Sequence, residues 1–71
     1  MAQFIEIGRV KVNPQRDIVA SKVIDKGEFK GINFNNYVRT QKYTGFTPGG
    51  MFVPEGKIEE YSELVRTVLS N

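Results

Sequence analysis

Neither cysteine nor histidine occurs in this chain, which is only 71 residues long. A chain of that size forms one domain and buries only about 60% of the surface its unfolded form exposes. Small domains usually compensate with disulfides, a structural metal or a second chain. Without cysteine there is no disulfide and no thiolate site. Without histidine the commonest metal ligand and the commonest general base are both missing. Oligomerisation is the staple that remains, so residues 1–71 are expected to form a single domain that works as a homodimer.

Several classes of protein are disfavoured early. No apolar run approaches the ~20 residues that span a bilayer. The opening Met1-Ala2-Gln3-Phe4 carries no basic segment and no long apolar segment of the signal-peptide kind. The expected location is the cytoplasm, or the nucleoid and host cytoplasm for a viral chain, with no membrane partner. The net charge of +2 is unevenly spread. Residues 1–43 sum to +4 and residues 44–71 to −2. A basic body and an acidic C-terminal segment point to two surfaces with different tasks.

The chain shows no repeat and no linker. Phe4 to Val12 reads as a strand whose alternation changes phase at Gly8, the mark of a β-bulge. Beyond it Arg9 and Lys11 point away from Val10 and Val12. Asn13-Pro14-Gln15-Arg16 reads as a turn, Ile18 to Ile24 as a second strand, and Asp25-Lys26-Gly27-Glu28 as a hairpin turn. From Phe29 to Tyr43 the even positions Ile32, Phe34 and Val38 suit a core. The odd positions place Phe29, Tyr37, Arg39 and Tyr43 together with Asn33, Asn35 and Gln41. Thr44 to Gly50 reads as a long turn dense in breakers, and Met51-Phe52-Val53 as a short last strand ended by Pro54.

A helix follows. Glu55, Glu59 and Glu60 crowd its N-terminal part, where they suit the helix dipole. Ile58, Tyr61, Leu64, Val65, Val68 and Leu69 recur at spacings of three and four and cover an arc of roughly 140°. That is wide enough for both the sheet of its own subunit and a second copy of the helix, so these six residues are the expected dimer interface. The expected fold is α+β: a four-stranded antiparallel curved sheet followed by one C-terminal amphipathic helix, ββββα. One helix covers one sheet face and leaves the basic, aromatic face open.

No catalytic or cofactor constellation is convincing. Gly56-Lys57 resembles the end of a phosphate-binding loop, but Ile58 stands where a magnesium-binding hydroxyl belongs and Met51 where the leading glycine belongs. Ser21, Ser62 and Ser70 have no histidine to activate them. The glutamates from Glu55 to Glu63 read as a solvated helix face. Neither an enzyme nor a bound cofactor or metal is expected.

Single-stranded nucleic acid is bound by cations that track phosphates and by aromatic rings on which bases stack, at ~1–3 kcal/mol per base. The expected open face has both, in Phe29, Tyr37, Arg39 and Tyr43, with Arg9 and Lys11 beside them. Lys22, Lys26, Lys30 and Lys42 add charge from turns and strand ends. Asn33, Asn35 and Gln41 are placed to hydrogen-bond base edges or sugars. The bland alternative is that Tyr and Phe are here as ordinary strand formers.

Phe29-Lys30-Gly31, the Val38-Arg39 pair closing a strand, Gly50-Met51-Phe52-Val53-Pro54 and a Glu-rich amphipathic helix opening on Pro54-Glu55 together resemble the positive cofactor 4 family. Ile7-Gly8-Arg9 echoes that family's Ile-Gly-Lys start, and the likeness covers roughly residues 4–69. Three departures stand out: the family's aromatic after the Ile-Arg pair falls here on Gln41 or Tyr43 depending on a gap of one or two residues, Gly49 occupies the place of a family lysine, and Asn13-Pro14-Gln15-Arg16 is an insertion. The resemblance implies a homodimeric single-stranded-DNA-binding domain of the transcriptional-coactivator type, gripping unpaired DNA on β-ridges. The family has bacterial and bacteriophage members, and so short a chain suits a bacteriophage-encoded one.

The expectation is therefore a dimeric, sequence-nonspecific single-stranded-DNA-binding protein serving replication, recombination or transcription, with replication or transcription proteins as further partners. The alternatives are an RNA-binding module and a small protein-interaction domain that uses the aromatic face.

Overall fold

Two tight turns fold the first 39 residues into a meander. In the computed structural model, which describes residues 2–70, β1 (Ala2–Asn13), β2 (Arg16–Asp25) and β3 (Glu28–Arg39) pair antiparallel in that order. The first turn is held by the Asn13 side chain, whose Oδ1 accepts the Gln15 N–H at 2.9 Å. The second places Lys26 at φ 53° and Gly27 at φ 78°. Two positive φ values are what a two-residue hairpin of this twist requires. Glycine adopts its value freely, while the lysine is held there at a cost of order 1 kcal/mol.

The fourth strand is split. Thr44–Phe46 forms β4 against Tyr37–Arg39, and Met51–Pro54 forms β5 against Gly31–Phe34. Both run antiparallel to β3, so they follow one another along the same edge. Reading Thr44 to Gly50 wholly as a turn was therefore wrong for its first three residues, and the sheet has five strands in place of four. The interruption falls at Thr47–Gly50, where Pro48 has no N–H to give a ladder, and Thr47 N–H still reaches Asn36 O at 3.0 Å. The α+β class, with an antiparallel sheet and one C-terminal helix, is as expected. Gly31 is fixed by packing: at φ 152° its Cα faces the Val53 carbonyl and the Phe52 ring, and a Cβ there would collide with both.

A single 3₁₀ turn (Glu55–Lys57) leads into α1 (Ile58–Ser70). The start of α1 packs on β3 and β5. The rings of Tyr61 and Phe34 lie 5.7 Å apart, and Ile58 and Val65 line a groove with Ile32 and Val53. The far end has no such cover: Val68 is 67% exposed and Leu69 80%. The helix also leaves β1 and β2 open on its own side of the sheet, where Ile5, Val10 and Ile18 are exposed. No helix among the described residues is long and apolar enough to cross a membrane.

The phase change expected at Gly8 is present. The β1–β2 register slips between Glu6 and Gly8 and leaves Ile7 unopposed. Phe4 and Glu6 before the bulge, and Arg9 and Lys11 after it, therefore share the face opposite the helix. On that face they meet Asp17, Val19, Ser21 and Val23 of β2 and Asn33, Asn35, Tyr37 and Arg39 of β3. The core expected only beneath Ile32, Phe34 and Val38 is divided between the two faces. Val53 is buried on the helix side, but Val19, 1% exposed, and Val23 are buried on the polar side. Phe4 of β1 and Phe46 of β4 line one depression although two strands separate them. The sheet therefore curls toward that face, and its rim side chains close over the central strand.

Candidate nucleic-acid interface

The polar face is organised by a carboxylate. Asp17 lies on β2, the central strand beside both β1 and β3, and its side chain is only 7% exposed. Arg9 Nη1 donates to its Oδ2 at 2.9 Å. Arg39 Nη1 and Nη2 donate to Oδ2 and Oδ1, both at 3.0 Å. Arg9 is held from its other side by Glu6, through Nε at 2.9 Å and Nη2 at 2.8 Å. The bulge at Ile7 makes that pairing available, since without it Glu6 and Arg9 would lie on opposite faces. Hydrogen bonds from Arg39, opposed by desolvation and aided by Arg9, hold the Asp17 pKa down at about 2. Glu6 is lowered too, chiefly by its hydrogen bonds from Arg9. Both guanidinium pKa values are raised, that of Arg9 mainly by Glu6 and that of Arg39 mainly by Asp17.

One aromatic ring lies against both guanidinia of this cluster. Arg9 Cζ lies 5.2 Å from the Tyr37 ring centroid and Arg39 Cζ 5.9 Å from it, within cation–π range. Tyr37 in turn meets Phe46 edge-on, with centroids 5.2 Å apart at 77°. Phe46, Phe4 and Phe52 are exposed on the same side. The two positive charges of Arg9 and Arg39 are matched by the two negative charges of Glu6 and Asp17, so the cluster offers a ligand oriented N–H groups more than net charge, beside rings with stacking surface. Because the arginines are already oriented, less conformational freedom is lost on binding.

The residues expected at this surface do not all reach it. Arg9, Lys11, Tyr37 and Arg39 stand on it together. Phe29 does not, because a second register slip leaves Lys30 unopposed and sets Phe29 opposite Ile24, on the parity of the helix side. Tyr43 leaves as well. Strand β3 ends at Arg39, and the chain turns through Thr40, whose N–H reaches Tyr43 O at 2.8 Å. The Tyr43 hydroxyl donates to Phe46 O at 2.6 Å. Its ring lies against Gly45, which stands opposite Val38 on the helix side. Placing Phe29, Tyr37, Arg39 and Tyr43 on one face by parity is thus corrected to Tyr37 and Arg39, because the strand is bulged at one end and stops short at the other.

The lysines scatter. Lys22 stands opposite Ile5 and Ile32 on the helix side, Lys26 is at the hairpin tip, and Lys42 is in the loop after β3. Lys30 pairs with Glu28 at 2.9 Å.

No family model, curated protein or solved structure matches the chain. The likeness to the positive cofactor 4 family rests on the short motifs of the chain itself.

Sequence reasoning missed Asp17, Phe4, Phe46 and Phe52. For Phe4 the signal was present, since the phase change at Gly8 that turns Arg9 to the polar face also turns Phe4 there. Phe46 was hidden inside a segment rich in turn formers. Asp17 beside a turn carries no sequence mark of burial, and only the pairing of β1, β2 and β3 brings two arginines to it.

Proposed function

We propose that this protein is a homodimeric single-stranded-DNA-binding protein that holds its ligand through backbone phosphates and base stacking, in replication, recombination or transcription. The observation that carries this reading is the joint placement of Arg9, Arg39 and Tyr37 beside Phe46, with the guanidinia fixed by Asp17. Lys11, opposite Asp17 in the register, extends the charge along β1. Stacking on such rings needs bases that can leave their neighbours, which a duplex does not offer.

The dimer is supported by surface area. A folded monomer of this mass should expose about 4,500 Å², whereas this chain exposes 5641 Å². The excess, about 1,100 Å², is the size of one partner's share of a stable protein interface. The side chains responsible include Leu64, Val68 and Leu69 of α1 and Ile5 and Val10 of β1. Ile58 and Tyr61, also expected at the interface, are engaged with the subunit's own sheet, and Val65 borders both regions.

The test is a titration with single-stranded and duplex DNA of matched length at two salt concentrations, with single-stranded RNA as competitor. Single strands should bind more tightly than duplex, with affinity falling by a log–log slope of about 0.7 for each phosphate neutralised. Equal affinity for duplex would contradict the stacking component, and preference for the RNA competitor would move the reading to an RNA-binding module.

A further inference from the structure

Two carboxylates hold Arg9, and they differ in how firmly they are placed. Asp17, 7% exposed, accepts the Arg9 Nη1 N–H at 2.9 Å and is held in turn by both Nη groups of Arg39. Glu6, 43% exposed, accepts the Nε and Nη2 N–H groups of Arg9 at 2.9 and 2.8 Å. That pair of parallel bonds is the fork with which an arginine grips a carboxylate or a phosphate alike. In the free protein Glu6 therefore fills the edge of Arg9 that suits a phosphate. An exposed ion pair contributes little to stability, whereas breaking a buried one leaves a charge without its partner. Of the two carboxylates, Glu6 is the one that can yield. It also stands beside the aromatic depression, because its register partner on β2 is Ser21, which lines that depression with Phe4 and Phe46.

We propose that Glu6 is an intramolecular stand-in for a backbone phosphate: it occupies the Nε–Nη2 edge of Arg9 in the free protein and gives that edge up to the bound strand. The proposal rests on the single-strand reading above and adds the contact that the strand must displace. With Glu6 turned aside toward solvent, Asp17 and the Tyr37 ring still hold Arg9 in place. The cluster then carries one net positive charge, from Arg9 and Arg39 against Asp17, where before it carried none. A phosphate satisfies both freed N–H groups in the geometry that Glu6 had. A strand that stacks a base between Phe4 and Phe46 carries a phosphate within a nucleotide's length of that edge. Glu6 thus keeps the guanidinium oriented and satisfied before the ligand arrives, and it holds the affinity below what Arg9 alone would give.

The test is a double-mutant cycle, read by titrating fluorescently labelled oligo-dT with the full chain at one salt concentration. Glu6→Gln keeps the size of the side chain and removes its charge. It should tighten binding by roughly two- to fivefold, the strength of the exposed pair given up. Glu28→Gln removes the same charge from another exposed ion pair, that with Lys30, and should change the affinity much less. In an Arg9→Ala background the gain from Glu6→Gln should fall to the level of the Glu28→Gln control. Arg9→Lys, which keeps a charge for Asp17 but lacks the fork, serves as the background if Arg9→Ala does not fold. Unchanged or weaker binding by Glu6→Gln would overturn the proposal while leaving single-strand binding in place. So would an equal gain from Glu28→Gln, or a gain from Glu6→Gln that persists in full without the Arg9 fork. Failure of both the unmodified protein and Glu6→Gln to bind oligo-dT would overturn the single-strand reading as well.

Discussion

The two faces of this sheet differ in how their side chains are held. On the polar face Asp17, Arg9, Arg39 and Glu6 satisfy one another, and Tyr37 and Phe46 are packed against the result. On the helix side Ile5, Val10 and Ile18 lie open on the sheet, and Leu64, Val68 and Leu69 lie open on the helix. The polar face is finished within one chain and presents a prearranged surface. The helix side is unfinished, and what it lacks is apolar cover. A ligand surface benefits from being rigid before the ligand arrives. Exposed apolar side chains gathered on one face are the mark of a surface suited to a partner.

The largest expected effects fall on the unfinished side. Leu64→Asp or Val68→Asp places an unpaired charge in the proposed interface, at several kcal/mol against a total stability of about 5–15 kcal/mol. Sedimentation should show dissociated or unfolded chains. A well-folded monomer of the unmodified protein at micromolar concentration would break the comparison. Gly31→Ala should come next, because its Cβ meets the Val53 carbonyl and the Phe52 ring. Thermal unfolding should show a loss greater than about 1 kcal/mol.

On the finished side, Arg39→Ala should weaken single-strand binding by roughly tenfold or more, as expected for a charge-assisted contact. Charge reversal at Lys57 or Arg66, on the helix, should leave the affinity nearly unchanged. Equal losses from both sets would mean that the faces do not divide the work.

A smaller effect concerns pH. The Asp17 pKa is lowered from an ordinary 3.8 to about 2. Its ionised form is favoured by folding, so its contribution is complete above pH 3.8 and is lost as pH falls through about 2. Melting temperature should decline across that window. Asp17→Asn should flatten the decline without abolishing it, because Glu6 and Glu28 are also held low by Arg9 and Lys30. An unchanged profile in Asp17→Asn would mean that the carboxylate does not organise the face.

Local signals in the sequence were read well. The bulge near Gly8, the turns at Asn13–Arg16 and Asp25–Glu28, and the amphipathic helix all follow from residue types within a few positions of one another. Strand parity was reliable only while a strand stayed regular, and β3 is regular from Gly31 to Arg39. Phe29 and Tyr43 lie just beyond those limits, and both were misplaced. The split of the last strand was hidden because Thr44-Gly45-Phe46 lies among glycines and a proline yet pairs with a long strand already in place. The pairing of Asp17 with Arg9 and Arg39 spans residues 8 and 22 positions apart. Such a cluster exists only once the register of three strands is set, and no local pattern announces it.

The most direct test of the account is a backbone-amide NMR titration of the protein with a single-stranded oligonucleotide. Perturbations should concentrate at Arg9, Lys11, Tyr37, Arg39 and Phe46, with Leu64, Val68 and Leu69 unmoved. Perturbations concentrated on the helix, or spread equally over both faces, would contradict it.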